Sequence, residues 1–412
     1  MKIALLGGAG LMARATARDL LDCDPAVELV LADLNLRAAQ EVEEGLRRIS
    51  GAAAAKIRSR GVDAADVDAV RETIRGADVV INAALYYFNL PVMHAALAER
   101  VPYLDLGGLF HTTRQQLLLH GVFEPAGVTA IVGMGSTPGI TNVQVRHAVA
   151  LLDRVETIAV YCGNTPNADR PGAWGYSINT ILDEATKPPM VFRAGRLEEL
   201  EPLAEPTTWS FLEPIGDKEV HHSLHSEIAT LPFSFADRGV RDCFFKINYF
   251  GYTPAALRQL KALAEAGLAS LDPVAVPDRA RTGETAHVRP RDVLVATLAR
   301  EEERRADADV GAGHHDAFVV DHEEVAVEVT GTRDTRPTVV RVDTLASGRP
   351  DWRLPAGTLL TATPPAIVAR WLADASLSLP GVHPPENVVD PERLFGELEQ
   401  RGIRTTVRIT DG

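Results

Sequence analysis

The sequence predicts an α/β protein, a doubly wound parallel sheet followed by a second domain of α+β character. Short, nearly all-apolar strands alternate with helical segments over the first 150 residues, and a glycine-rich turn closes the first of them. Beyond residue 150 the strands lengthen and alternate in polarity. A chain of 412 residues also exceeds what one hydrophobic core holds.

Residues 2–6 (KIALL) read as a buried strand running into Gly7-Gly8-Ala9-Gly10, and the helix formers of 11–21 follow. A second strand, Val27 to Ala32, ends at Asp33, and an Ala/Glu/Arg-rich helix spans Leu36 to Ile49. Ala77 to Leu85 is a buried strand, and Pro91 to Glu99 a helix with proline at a tolerated early position. Val101–Leu106 and Val128–Val132 are further strands. In the second domain, 155–162, 190–194, 240–250, 317–330 and 337–344 read as strands, with a Pro/Gly-rich turn at 166–175. Residues 301–316 (EEERRADADVGAGHHD) read as a solvated loop, His314 and His315 included. Pro364 to Ala373 and 391–401 are helices. They are expected to fold back on the first domain, because Ile367, Val368 and Trp371 need a core. The boundaries expected are 1–150, 151–350 and 351–412.

A formal net charge of −14 argues against a nucleic-acid or anionic-membrane partner, since phosphates attract basic surfaces. Cys23, Cys162 and Cys243 are far apart and make no CxxC pair, so neither a disulfide framework nor a zinc site is expected. The opening MKIALLGGAG lacks the basic region of a signal peptide, and no apolar run reaches the ~18 residues that span a bilayer. A cytoplasmic location is the resulting expectation.

Gly8-x-Gly10-x-x-Ala13 fits the dinucleotide pattern in its required context, between a strand and a helix, with Asp33 about 20 residues on. Gly8 gives the tight turn, Gly10 admits a diphosphate, and Ala13 allows close helix–strand packing. The Rossmann reading puts Gly8, Ala9, Gly10, Leu11 and Met12 on the diphosphate at a positive helix end. A carboxylate at Asp33 accepts from both ribose hydroxyls and repels a 2′-phosphate, which favours NAD. Arg37 is the counterweight that keeps NADP open, or a solvated surface residue. Asp63 either meets the adenine or caps a helix. Asn82, Ala83 and Ala84 end a strand, and Asp105 with Gly107 ends the next, so both loops are expected beside the cofactor at the sheet's carboxyl edge.

With these segments in view, the chain resembles the saccharopine dehydrogenase (saccharopine reductase) and L-lysine 6-dehydrogenase family. The resemblance rests on GGAGLMARATARDL, LADLN, ADVVINAALYYFNLPVMHAALAERVPYLDLGG, GMGSTPGITNV, YCG, EVHHSLHSEIATLPFSF, VRPRDVL and the tail from TATPPAIVARWL to ERLFGELEQRGI. It implies a Rossmann domain and a substrate domain that also carries a homodimer contact. It also implies hydride transfer at a carbon bearing an amino acid's side-chain nitrogen. Tyr86 occupies the family's tyrosine position and Cys162 its cysteine position, while Thr137 stands where an aspartate would be and Asn164 replaces a glycine. These departures argue against saccharopine itself. His222 matches the family histidine, with His221 and His225 expected on the surface. Lys246 reads either as an ammonium on a solvated sheet face or as a pocket lysine acting on the substrate. Tyr86, Cys162, His222 and Lys246 are therefore the catalytic candidates. Phe88, Asn89, Gly107, Thr137, Gly139, Asn142 and Gly163, from the matching blocks, are expected to line the substrate site. No metal is expected, since the histidine spacing fits no HExxH pattern. The resemblance implies oxidation of L-lysine with NAD to the semialdehyde, which closes to a piperideine carboxylate with release of ammonia. One alternative is a saccharopine- or carboxynorspermidine-type reductase that condenses an aldehyde with an amine using NADPH. Another is a non-enzymatic dinucleotide sensor.

Overall fold

The computed structural model describes residues 1–50, 56–165, 177–248, 254–277, 285–311 and 320–412. The first sheet contains β1 (Lys2–Leu6), β2 (Glu28–Asp33), β3 (Ile57–Gly61), β4 (Val79–Asn82), β5 (Tyr103–Asp105) and β6 (Thr129–Ile131). They run in the order β6-β5-β4-β1-β2-β3, and β1 pairs in parallel with both β2 and β4, so the direction in which strands are added across the sheet reverses at β1. Alternate residues bury on opposite faces. Ile3, Leu5, Leu29, Leu31 and Ile81 join one core, whereas Ala4, Leu6, Val30, Ala32 and Val80 join another. A strand buried on both sides cannot alternate in polarity, which is why these strands read as continuous apolar runs.

The second sheet is built from β7 (Arg154–Asn164), β8 (Met190–Arg193), β9 (Arg196–Glu199), β10 (Thr207–Ser210), β11 (Asp217–His222), β12 (Asp242–Ile247), β15 (His322–Arg333) and β16 (Arg336–Ser347). Between them β13 (Val274–Pro277) and β14 (Thr285–Val288) form a separate hairpin. β12 lies parallel to β7 and β15 antiparallel to it, so the sheet is mixed. Its inner face, with Val160, Cys162, Phe245, Ile247 and Val325, shares a core with the first domain. Its outer face is covered by Trp209, Phe211 and Ile215 over Ala159, Tyr161 and Ala326, and the Tyr161 and Trp209 rings stack with centroids 3.7 Å apart.

The C-terminal segment serves both sheets. Helix Ala356–Ala373 packs on the first helix, Leu11–Cys23, and Thr16 Oγ1 donates to the Ala362 carbonyl. β17 (Gly381–His383) then pairs in parallel with β6, and β18 (Arg404–Asp411) pairs antiparallel with β16. The tail expected as helices thus adds one strand to each sheet. Three residues between prolines are too short to show a period, which hides β17 from a sequence reading. The solvated loop expected from residue 301 is also corrected, because helix Pro290–Gly311 continues through the Glu/Arg/Ala run, whose intrinsic helix propensity is high. The turn at 166–175, Tyr249, Phe250, His314 and His315 lie outside the described residues. No described helix is long and apolar enough to cross a membrane.

Candidate functional site: a dinucleotide cradle facing an interdomain cleft

The cradle is shaped by what it excludes. A Cβ on Gly8 would stand 2.9 Å from the Ala32 nitrogen, and one on Gly7, at φ +75°, 2.7 Å from the Ala84 nitrogen. Gly10 donates to the Gly7 carbonyl at 2.8 Å and opens helix Leu11–Cys23 without a side-chain cap. Bare glycine backbone, closely packed beneath, before an uncapped helix N-terminus fits a diphosphate. Gly8 to Met12 would hold it. Asp33 sits at the end of β2 and accepts from the Ala9 amide at 3.0 Å and the Asn35 amide at 2.9 Å, so it braces the turn. Asp63 makes a tight turn with the Ala65 amide, and the helix cap is Asp66 instead. Arg37 is a solvated residue paired with Glu41. The loop Asn82-Ala83-Ala84 lies directly over Gly7.

The carboxyl edge of β4 and β5 is braced by buried amides and acids. Asp105 takes the Gly107 and Gly133 amides on one oxygen and Tyr103 and Gln116 on the other. Its carboxylate therefore points into the protein, which corrects the expectation that it faces the cofactor. Burial pushes its pKa up, against these four donors. Asn89 accepts from Asn82 at 2.8 Å and donates to the Gly107 carbonyl at 3.1 Å, so it too is internal. Asn142 donates to Glu386 at 2.7 Å and accepts from Gly139, fastening the 135–139 turn to the C-terminal segment. Gly139 is required there, because at φ +129° a Cβ would fall 2.0 Å from the Gly135 carbonyl oxygen. Thr137 is half-buried in that turn and Phe88 packs half-buried beside the second core.

Two tyrosines after β4 reach across to the second domain. Tyr86 donates to Asp183 at 2.7 Å, Tyr87 donates to the same oxygen, and Lys187 donates to the Tyr86 oxygen at 3.3 Å. Arg291 holds the other Asp183 oxygen at 2.7 Å. Burial would raise the Asp183 pKa, but the Tyr87 and Tyr86 hydroxyls, Lys187 and Arg291 together hold it below its ordinary value. Both phenols are pushed up, chiefly by burial, Tyr87 to about 12, and so remain hydrogen-bond donors.

A second bridge forms where Ser226 Oγ accepts from the Gly108 amide at 3.3 Å and from Thr113 at 3.2 Å. This places His225 and Glu227 beside the end of β5. His225 stacks on Phe245 with centroids 4.0 Å apart, on the inner face, and its Nδ1 contacts Glu227. Burial lowers its pKa, but the Glu227 and Glu184 carboxylates more than reverse this, and the imidazole is held above its ordinary value. On the same face the Cys162 thiol donates to Glu323 at 3.8 Å, and burial with neighbouring carboxylates pushes the thiol well up.

The other catalytic candidates lie elsewhere. Lys246 pairs with His222 across β11 and β12 and faces outward, donating to the Glu205 carbonyl at 2.6 Å and to Thr207 at 3.1 Å. His222 faces the Phe244 ring and Glu205 there, and burial followed by Lys246 pushes it down to about 4. The sheet separates both from Cys162, because side chains one residue apart point to opposite faces. Lys246 is thus neither a solvated ammonium nor at the cleft. Gly163 faces outward as well, where the Phe211 ring would meet its Cβ at 2.4 Å. The expectation of surface positions for His221 and His225 is corrected, since they are 7% and 6% exposed, with His225 stacked on Phe245 of the inner face. Asp183 and Glu323 gave no sequence signal, whereas Ser226 and Glu227 lie within the EVHHSLHSEIATLPFSF block and Arg291 within the VRPRDVL block.

A glycine-rich turn at the switch point of a parallel sheet, facing a second, mixed sheet, defines a dinucleotide-binding domain joined to a second domain. The description "saccharopine dehydrogenase NADP binding domain" fits residues 3–131, and "saccharopine dehydrogenase C-terminal domain" fits residues 135–403. The chain belongs to the saccharopine dehydrogenase family. It is similar to the carboxynorspermidine synthase of Vibrio cholerae serotype O1, 23% identical over 68% of this chain and 65% of that one. It is 26% identical to the carboxyaminopropylagmatine dehydrogenase of a Synechocystis species over 54% of this chain and 58% of the relative. The chain thus matches little more than half the length of such relatives. Apo saccharopine dehydrogenase (L-Glu forming) from Saccharomyces cerevisiae shares the fold over 99% of both chains, with a TM-score of 0.70 and 18% identity.

Proposed function

We propose that the protein joins an aldehyde and a primary amine into a secondary amine, one partner being an amino acid, and that it can run this reaction in reverse. The observation that carries the proposal is the bridge from Tyr86 to Asp183. It sets a neutral phenol donor across the cleft within one loop of the residues over Gly7. The names of the relatives, a carboxynorspermidine synthase and a carboxyaminopropylagmatine dehydrogenase, favour this condensing reaction over oxidation of free lysine. A nicotinamide cofactor, when bound, supplies or accepts the hydride. Tyr86 positions the amine nitrogen, and His225, with Glu227 behind it, holds and moves the proton that the nitrogen must lose or gain. Cys162 stays a neutral thiol that packs the floor of the site. Asp33 selects NAD over NADP by repelling a 2′-phosphate. A homodimer completes the proposal, following the family resemblance, and light scattering reads it directly.

Both nucleotides, oxidised and reduced, are to be assayed with L-lysine, with saccharopine, and with pairs of an amino-acid aldehyde and a primary amine. Reduced-nucleotide consumption with aldehyde–amine pairs is expected. Turnover confined to L-lysine would replace the condensing reaction with lysine oxidation, and no turnover with any of these substrates would overturn both.

A further inference from the structure

Resting on the condensing reaction above, we infer that Lys187 is a positioning residue that passes protons from water, through Tyr86, to the oxygen the aldehyde loses.

Condensation needs such a path. Aldehyde, ammonium, reduced nucleotide and one proton give the protonated secondary amine, oxidised nucleotide and water. The amine nitrogen adds to the carbonyl carbon, and the C–O bond then breaks as the nitrogen lone pair closes the C=N bond. The oxygen keeps the electron pair of the broken bond and departs as water. Of the two hydrogens which that water carries, the ammonium supplies one and the medium the other. The carbon then receives the hydride that the nucleotide supplies. His225 moves the proton of the nitrogen, so the oxygen needs a second donor that is open to water.

Lys187 is placed for this. It caps the C-terminus of helix Ile178–Thr186, where its amide donates to the Asp183 carbonyl at 3.0 Å. Its ammonium stands 3.0 Å from Asp183 Oδ1 and donates to the Tyr86 oxygen at 3.3 Å. A helix-end ion pair would need only the first of these contacts. Asp183 also pairs with Arg291 at 2.7 Å, a side chain that is 3% exposed. The two cations differ in what they can give. A guanidinium keeps its protons in a protein, whereas an ammonium can release one, and the Lys187 side chain is 44% exposed and meets water. Burial, with Tyr87 and Asp183 after it, pushes the Tyr86 phenol up, so it yields its proton only as another replaces it. Tyr87 donates to the same Asp183 oxygen as Tyr86. That oxygen therefore keeps a donor when the Tyr86 hydroxyl turns to the substrate. Tyr86 gives its proton to the departing oxygen, Lys187 refills the phenol, and water reprotonates the amine of Lys187.

The test compares wild type, K187R, K187M and K187A on the aldehyde–amine pair that wild type turns over fastest, with nucleotide affinity read by calorimetry as the check on folding. K187R keeps a cation on Asp183 but cannot release a proton, so its kcat should fall about 100-fold, as in K187M, with nucleotide affinity kept. Trimethylammonium, a tertiary amine that cannot condense with an aldehyde, should restore kcat to K187A in a saturable way and leave K187R unchanged. A role confined to the ion pair predicts the opposite, near wild-type kcat in K187R and no rescue of K187A. Either of those results overturns the path while keeping the reaction. If K187M does not fold, K187R and K187A are read by the same criteria. No wild-type turnover of any aldehyde–amine pair overturns the reaction and the path with it.

Discussion

Glu323 and His225 show how burial and charge set two proton equilibria on one face of a sheet. Burial, then Asp321, pushes the Glu323 carboxyl up to about 8. A group whose pKa rises on folding adds stability below its unfolded value, near 4.5, and that stability is lost as pH climbs through the folded value. Relative to E323Q, wild type should therefore lose stability between about pH 4.5 and 8, by up to ~5 kcal/mol at 1.36 kcal/mol per unit. Chemical denaturation of both proteins across that range checks this, and parallel curves would contradict it. His225→Gln should lower kcat by roughly 100-fold, as for loss of a positioned acid–base group, while His222→Gln should leave kcat within about 3-fold. Equal effects of the two substitutions would remove His225 from the proton path. Asp33→Asn keeps the hydrogen-bonding shape at the end of β2 but removes the charge. It should shift the NADP:NAD affinity ratio about 10-fold toward NADP in equilibrium binding.

At the scale of elements, the turn between β1 and its helix is rigid because it rests on backbone that cannot move aside. Gly10→Ala adds a methyl 3.0 Å from the Gly7 oxygen, inside the turn proposed to hold the diphosphate. Dinucleotide affinity should fall at least about 10-fold with little change in melting temperature. An unchanged affinity would remove this turn from the nucleotide site. The cradle was legible because it is local: strand, glycine turn, helix and acidic strand end occur within 33 residues. The cleft was legible only in part. The segment His221–Glu227 stood out in the sequence, but strand alternation ends with β11 at His222, and no period says where His225 points after it. Asp105 looked like a ligand contact for the same reason. Its place at a strand's carboxyl end is visible in the sequence, whereas two of the four donors that turn it inward, Gln116 and the Gly133 amide, come from the elements that follow.

For the whole molecule, the C-terminal segment joins the two domains, because β17 extends the first sheet and β18 the second. Arg401 adds an ion pair to Asp19 at 2.7 Å, and helix Ala356–Ala373 fills the space between the domains. A chain ending after residue 376 should lose cooperative unfolding in both domains at once, seen as a broad transition by calorimetry and lost nucleotide binding. A truncated protein that still binds the nucleotide with a sharp transition would show instead that the first domain stands alone.

The sequence by itself determined the alternation of strands and helices in the first domain, the nucleotide cradle and the family, since each rests on neighbouring residues and short-range periodicity. Only the tertiary structure decided which histidine and which carboxyls meet at the cleft. A sheet separates residues adjacent in the chain and brings Tyr86 to Asp183 across 97 positions, and no local pattern records that pairing.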